Sequence, residues 1–227
     1  MFWQLSTGNW FMTWVKICGT TNLEDALVAV EAGADAIGFV FYEKSPRNIS
    51  ADAARAIVQK LPKDVEKVGV FVGTPSDRFQ EIAKQVGLSS VQIYGSPENW
   101  PVAQRGFKLI QAISADGLSD AGIFIGAEAK KTLHAILVDS GSGCQPGGTG
   151  ATFNWEKSRG MVLGLGRMRP VIIAGGLNPG NVGEAISILH PWGVDVASGV
   201  ESSPGKKDPE KVRAFVKAVR EIDRKTS

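Results

Sequence analysis

Cysteine is almost missing from this chain: Cys18 and Cys144 are the only two among 227 residues. Two cysteines cannot build a disulfide framework. Nothing at the N-terminus has a basic segment leading into an apolar run and a small-residue cleavage site, so a reducing cytoplasm is the expected compartment. Long hydrophobic runs are missing as well. None approaches the roughly 18 uninterrupted apolar residues of a spanning helix, and a membrane is not an expected partner. Charge of one sign is not in excess: 25 Lys and Arg stand against 23 Asp and Glu, mixed along the chain, for a net charge of +2. A nucleic acid therefore finds no basic footprint, whereas a small anion needs only one local site. Aromatics are sparse at 8%, yet hydrophobic residues reach 43% and charged residues 21%, which excludes wholesale disorder and fibrous repeats. The expectation is a globular protein with one large core.

Glycine is abundant: 27 residues, gathered at Gly141–Gly150 (GSGCQPGGTG), Gly175-Gly176 and Gly199–Gly205, all in the second half. Clusters of this kind mark places where backbone must approach something closely or take positive φ.

Short β-branched runs alternate with longer segments of helical period, as in repeated βα units of a parallel sheet. Eight strands are expected at Val15–Cys18, Ala36–Val40, Lys67–Val72, Ser90–Ile93, Lys108–Ala112, Ala135–Val138, Pro170–Ala174 and Val194–Ala197. Helices are expected near Leu23–Ala32, Ala51–Leu61, Ser76–Val86, Pro97–Gln104, Leu118–Gly126, Phe153–Leu163, Asn181–Leu189 and Pro209–Arg224. The last carries Val212, Phe215, Val216 and Val219 at helical spacing, and Ser50 and Asp208 are placed as caps. Eight units predict an α/β fold, a single-domain (β/α)8 TIM barrel spanning 12–227; an open doubly wound sheet more often has five or six strands. Met1–Phe11 (MFWQLSTGNWF) precedes a second start-like segment at Met12 and reads as an N-terminal extension outside the fold, either residues upstream of an in-frame start or a docking segment.

In such a barrel the chemistry is expected at the C-terminal ends of the strands. Alternation along the first strand puts Val15 and Ile17 toward the helices, and Lys16 and Cys18 toward the barrel mouth. An ammonium beside a thiol favours the thiolate, a base or nucleophile; the plain alternative is that Cys18 is a small buried hydrophobe. Asp139 closes the sixth strand before the glycine-rich loop, where it serves either chemistry or a turn with Ser140 or Ser142. Asp195 lies between Val194 and Val196, so its charge faces the interior and requires a ligand or a partner such as Lys16 on the neighbouring strand. Arg47, in the loop after the second strand, has the planar fork that suits a carboxylate or phosphate, unless it is an isolated surface residue. AGGLNPGN after strand seven and SGVESSPG after strand eight put glycine turns where barrels hold phosphate, near Gly176, Asn178, Gly199 and Ser202.

Together these residues resemble the phosphoribosylanthranilate isomerases of tryptophan biosynthesis. The matching segments are VKICGTTN, ADAIGFVFYEKSPRNIS, VGVFV, VQIYG, ILVDS, GGTGATFNW, IIAGGLNPGNV and VDVASGVESSPGKKD, in family order from near Met12 to the end. The resemblance implies a cytoplasmic barrel that isomerises N-(5-phosphoribosyl)anthranilate, a small phosphorylated substrate, with no cofactor and no metal. It implies a general base at Cys18, a general acid at Asp139, an anthranilate-carboxylate contact at Arg47 and a substrate contact at Asp195. Two positions depart from the pattern: Tyr94 stands where the family usually has His, and Asn154 where it usually has Asp. The nearest rival is the sister isomerisation of histidine biosynthesis, which resembles a two-aspartate site and is disfavoured by Cys18. A phosphate-binding module without turnover is disfavoured by the joint presence of Cys18, Asp139 and Arg47.

Overall fold

The structure, a computed structural model, describes residues 12–95, 106–115, 133–141 and 152–225. Eight parallel strands close into a barrel in chain order: β1 Trp14–Ile17, β2 Ala36–Val40, β3 Glu66–Val72, β4 Ser90–Tyr94, β5 Lys108–Ser114, β6 Leu133–Asp139, β7 Val171–Ile173 and β8 Gly193–Val196. Pairing of β8 with β1 completes the ring and sets Lys16 opposite Asp195. Among the described residues the helices are α1 Leu23–Glu31, α2 Ala51–Val58, α3 Ser76–Val86, α4 Trp155–Gly166, α5 Val182–Leu189 and α6 Pro209–Lys225. The expected helices Pro97–Gln104 and Leu118–Gly126, the extension Met1–Phe11 and Cys144 lie outside the described residues.

Two apolar layers follow from strand alternation. Val15 and Ile17 of β1 and Val194 and Val196 of β8 belong to the layer packed under the helices, together with Val212, Phe215, Val216 and Val219 of α6. Each such side chain withdrawn from water contributes about 1.5–3 kcal/mol. Ala36, Val68, Ile110, Ala135, Leu137 and Ile172 fill the barrel interior. At the N-terminal end, Trp14 stacks on Trp192 at 5.2 Å, and His134 meets Trp192 edge-on at 6.2 Å. The chain's own strand-end aromatics therefore close the bottom of the barrel.

Caps form where side chains can satisfy open backbone donors. Ser50 accepts from the Ala53 N–H, and Asp208 from the Glu210 and Lys211 N–H groups. Asn154 accepts from the Lys157 N–H at 2.9 Å, so the amide at this position does a cap's work without a carboxylate. Strand bounds differ slightly from expectation. β6 runs through Asp139 rather than stopping before it, and β1 ends at Ile17, leaving Cys18 at the start of the following loop. A hairpin was not expected: β9 Glu201–Ser203 and β10 Lys206–Lys207 pair antiparallel around Pro204-Gly205, in the segment read as a plain glycine turn. Strands of three and two residues are too short to leave a period in sequence.

Candidate active site

A cavity opens at the C-terminal end of the barrel. Among the described residues it is lined by Cys18 after β1, Arg47 after β2, Gln92 and Tyr94 of β4 and Asp139 of β6, with Gly175 and Gly176 after β7 and Asp195 and Ser198 from the β8 end. The fold thus gathers Cys18, Arg47, Asp139, Gly176 and Asp195, which lie far apart in sequence, around one space.

Lys16 lies beneath this lining and is fully buried. Its Nζ donates to Asp195 Oδ1 and to Gln92 Oε1, both at 2.9 Å. Burial disfavours its charge, but Asp195 and Cys18 outweigh burial, and the ammonium is held above the ordinary lysine value. Cys18 shifts against the expectation raised by its neighbour. Burial is the largest influence and pushes the thiol above its ordinary value; Asp195 adds to the rise, and Lys16 and Lys207 oppose it without cancelling it. Burial outweighs the nearby ammonium, so the resting site holds a thiol near neutral pH.

Asp139 is buried and accepts at both oxygens: the Tyr94 hydroxyl donates to Oδ2 at 2.8 Å, and the Gly141 N–H to Oδ1 at 3.1 Å. Burial first, then Asp139, raise Tyr94 well above the ordinary phenol value, which keeps it a neutral donor. The Gln92 amide links the two groups: its Nε2 donates to the Tyr94 hydroxyl at 3.4 Å while its Oε1 accepts from Lys16. A directed chain of donors, Lys16 to Gln92 to Tyr94 to Asp139, crosses the barrel. Period-two alternation puts Gln92 and Tyr94 on one face of VQIYG, a signal that sequence reading left unused.

The turns after β7 and β8 are built as one cradle. Asn181 Oδ1 accepts from the Asn178 N–H, Asn181 Nδ2 donates to the Gly176 carbonyl, and Asn178 Oδ1 accepts from the Gly180 N–H. A Cβ on Gly199 would lie 1.9 Å from the Leu177 carbonyl oxygen, so only glycine lets the two turns meet there. Asn178 and Gly199 therefore shape the cradle from outside the lining, while Gly176 and Ser198 line it. Ser202 is exposed on the hairpin, where its hydroxyl donates to the Lys206 carbonyl at 3.3 Å, and Ser198 occupies the cavity wall instead.

Arg47 is far from an isolated surface residue. Its side chain is 12% exposed, and Glu201 takes the Nε and Nη2 donors at 2.8 and 2.7 Å. Glu201 and Lys207, its second partner, went unremarked in sequence because a charge inside ESSPGKK reads as a solvated turn. No group of His, Cys, Asp and Glu among the described residues is arranged to hold a metal ion.

Residues 15–218 match the family described as N-(5'phosphoribosyl)anthranilate (PRA) isomerase. The N-(5'-phosphoribosyl)anthranilate isomerase of Citrifermentans bemidjiense is 45% identical over 213 residues, 93% of this chain and 98% of that protein. The enzyme of the same name from Desulforudis audaxviator is 46% identical over 211 residues, 92% of this chain and 99% of that protein. A crystal structure of phosphoribosyl anthranilate isomerase, in complex with reduced 1-(o-carboxyphenylamino)-1-deoxyribulose 5-phosphate, superposes with a TM-score of 0.75 at 38% identity, covering 92% of this chain and all of that one. With the same barrel, matches that span nearly the whole of those proteins and this density of identity, the chain belongs to the phosphoribosylanthranilate isomerase family.

Proposed function

We infer that this chain catalyses the Amadori-type isomerisation of N-(5'-phosphoribosyl)anthranilate to 1-(2-carboxyphenylamino)-1-deoxyribulose 5-phosphate, a step of tryptophan biosynthesis. The observation that carries the reading is the convergence of Cys18, Asp139 and Arg47 on one cavity at the C-terminal end of the barrel. Acting as the general acid, Asp139 gives a proton to the ribose ring oxygen, the C1–O bond breaks, and the anthranilate nitrogen lone pair forms a cationic Schiff base. Tyr94 and the Gly141 N–H receive the carboxylate that this leaves behind. The new cation favours ionisation of Cys18, whose thiol proton passes to solvent, and the thiolate then removes the C2 proton to give an enolamine. A solvent proton then adds to C1 and the enol proton passes to the Asp139 carboxylate, which gives the ketose and restores the acid, so the reaction is a net isomerisation with no oxidant or reductant. Arg47 takes the anthranilate carboxylate, and Asp195, held by Lys16, contacts the ribose. The cradle lined by Gly176 and Ser198, and shaped from behind by Asn178 and Gly199, takes the phosphate on backbone N–H groups.

The catalytic unit is residues 12–227, the compartment the cytoplasm, and no cofactor takes part. Growth of a tryptophan auxotroph lacking this isomerase, on medium without tryptophan, tests the reading. Rescue by the chain is expected, and failure of a well-expressed, folded chain to rescue would contradict it.

A further inference from the structure

We propose that Glu201 and Lys207, on the hairpin after β8, are positioning residues that aim Arg47 and keep its charge available to the substrate carboxylate. The proposal rests on the assignment of Arg47 to that carboxylate. Arg47 presents five N–H donors, and Glu201 engages the Nε and Nη2 side of the fork, leaving the Nη1 pair and the second Nη2 donor for another carboxylate. Arg47 reaches this position by lying across Gly19, where a Cβ would come within 2.5 Å of Arg47 Cδ. Gly19 also has φ +74, so a side chain there is excluded twice over.

A carboxylate paired this closely to Arg47 would by itself cancel the field that attracts an anion. Lys207 corrects the balance. Its fully buried ammonium donates to Glu201 Oε1 at 3.0 Å, so the cluster of Arg47, Glu201 and Lys207 holds one positive charge in excess. The neighbouring Asp25 carboxylate takes the Lys207 backbone N–H rather than the ammonium. The same Lys207 Nζ donates to the carbonyl of Cys18 at 2.5 Å and to that of Ala197 at 3.3 Å. One buried cation thus ties the loop that carries the thiol, the end of β8 and the carboxylate that aims Arg47. Thr21 fastens the hairpin to the loop after β1, donating to the Gly205 carbonyl at 2.7 Å. Burial would raise Glu201, but Arg47 and Lys207 override it and hold the carboxylate below its ordinary value, which keeps it charged as Arg47's partner.

The test is a double-mutant cycle in steady-state kinetics with N-(5'-phosphoribosyl)anthranilate, using Arg47→Ala, Glu201→Gln and the pair together. Glu201→Gln is expected to raise KM about 10-fold or more with kcat within about 3-fold, the loss appropriate to one charged hydrogen-bonded contact. In the Arg47→Ala background the same change should add nothing, since the residue it aims is gone. If Arg47→Ala leaves KM unchanged, the carboxylate assignment itself fails. If Arg47→Ala raises KM while Glu201→Gln does not, the assignment stands and the positioning role is overturned. Full additivity of the two would also overturn it, because the effect would then run through the fold. Should Glu201→Gln not fold, Lys207→Met in the same cycle decides: a KM rise that vanishes without Arg47 supports the clamp, and an unchanged KM removes it.

Discussion

The hydroxyl of Tyr94 donates to Oδ2 of Asp139 across 2.8 Å, joining β4 to the end of β6 at the acid of the site. Tyr94→Phe removes that donor and keeps the ring. Because the bond is to a group that becomes charged in the reaction, its loss should lower kcat by about 10- to 100-fold and leave KM nearly unchanged. Steady-state kinetics at fixed pH check this; a KM effect with normal kcat would place Tyr94 in binding instead.

Cys18 is buried, and its thiol is raised above the ordinary value. Iodoacetamide should therefore label it slowly in the ligand-free protein near neutral pH, and faster as pH rises toward the thiol's raised value, since only the thiolate attacks. Mass spectrometry of the Cys18 peptide against pH gives the profile. Fast labelling near neutrality would mean that Lys16 governs the thiol after all.

The barrel and its inward-facing residues were legible because each strand is a β-branched run whose period puts one set of residues under the helices. Lys16 and Asp195 followed from that alternation alone, and their register confirms that they are cross-strand neighbours. The ionisation of Cys18 was not legible, since it depends on how completely the loop after β1 is covered, a property of tertiary packing. Ser202 and Ser198 could not be ranked from sequence either: both follow β8, and only the short hairpin decides which one turns outward.

Lys16 and Asp195 pair inside the barrel at 2.9 Å. Lys16→Met leaves a buried carboxylate without its cation, and breaking such a pair from one side costs about 3–5 kcal/mol. Urea denaturation at neutral pH should show a loss of that order; a loss near zero would show that the interior is wet enough to solvate Asp195.

A chain beginning at Met12 should keep its melting temperature and its turnover. The first structural bonds of the described chain are made by Thr13 to Asp223 and by Trp14 to Trp192, and the Trp14–Trp192 stack already closes the barrel bottom. Differential scanning calorimetry of both lengths checks it. A drop of several degrees would show that Met1–Phe11 packs on the fold.

The most direct measurement is turnover of N-(5'-phosphoribosyl)anthranilate by the purified chain beside its Cys18→Ala and Asp139→Asn forms, each checked for an unchanged melting temperature. Base and acid act on different atoms, the C2 proton and the ring oxygen, so neither can replace the other. The expected result is turnover by the unaltered chain and a fall in kcat of at least about 100-fold in each variant. Near-normal turnover in folded Cys18→Ala would contradict the assignment of the base and move that role to Asp195.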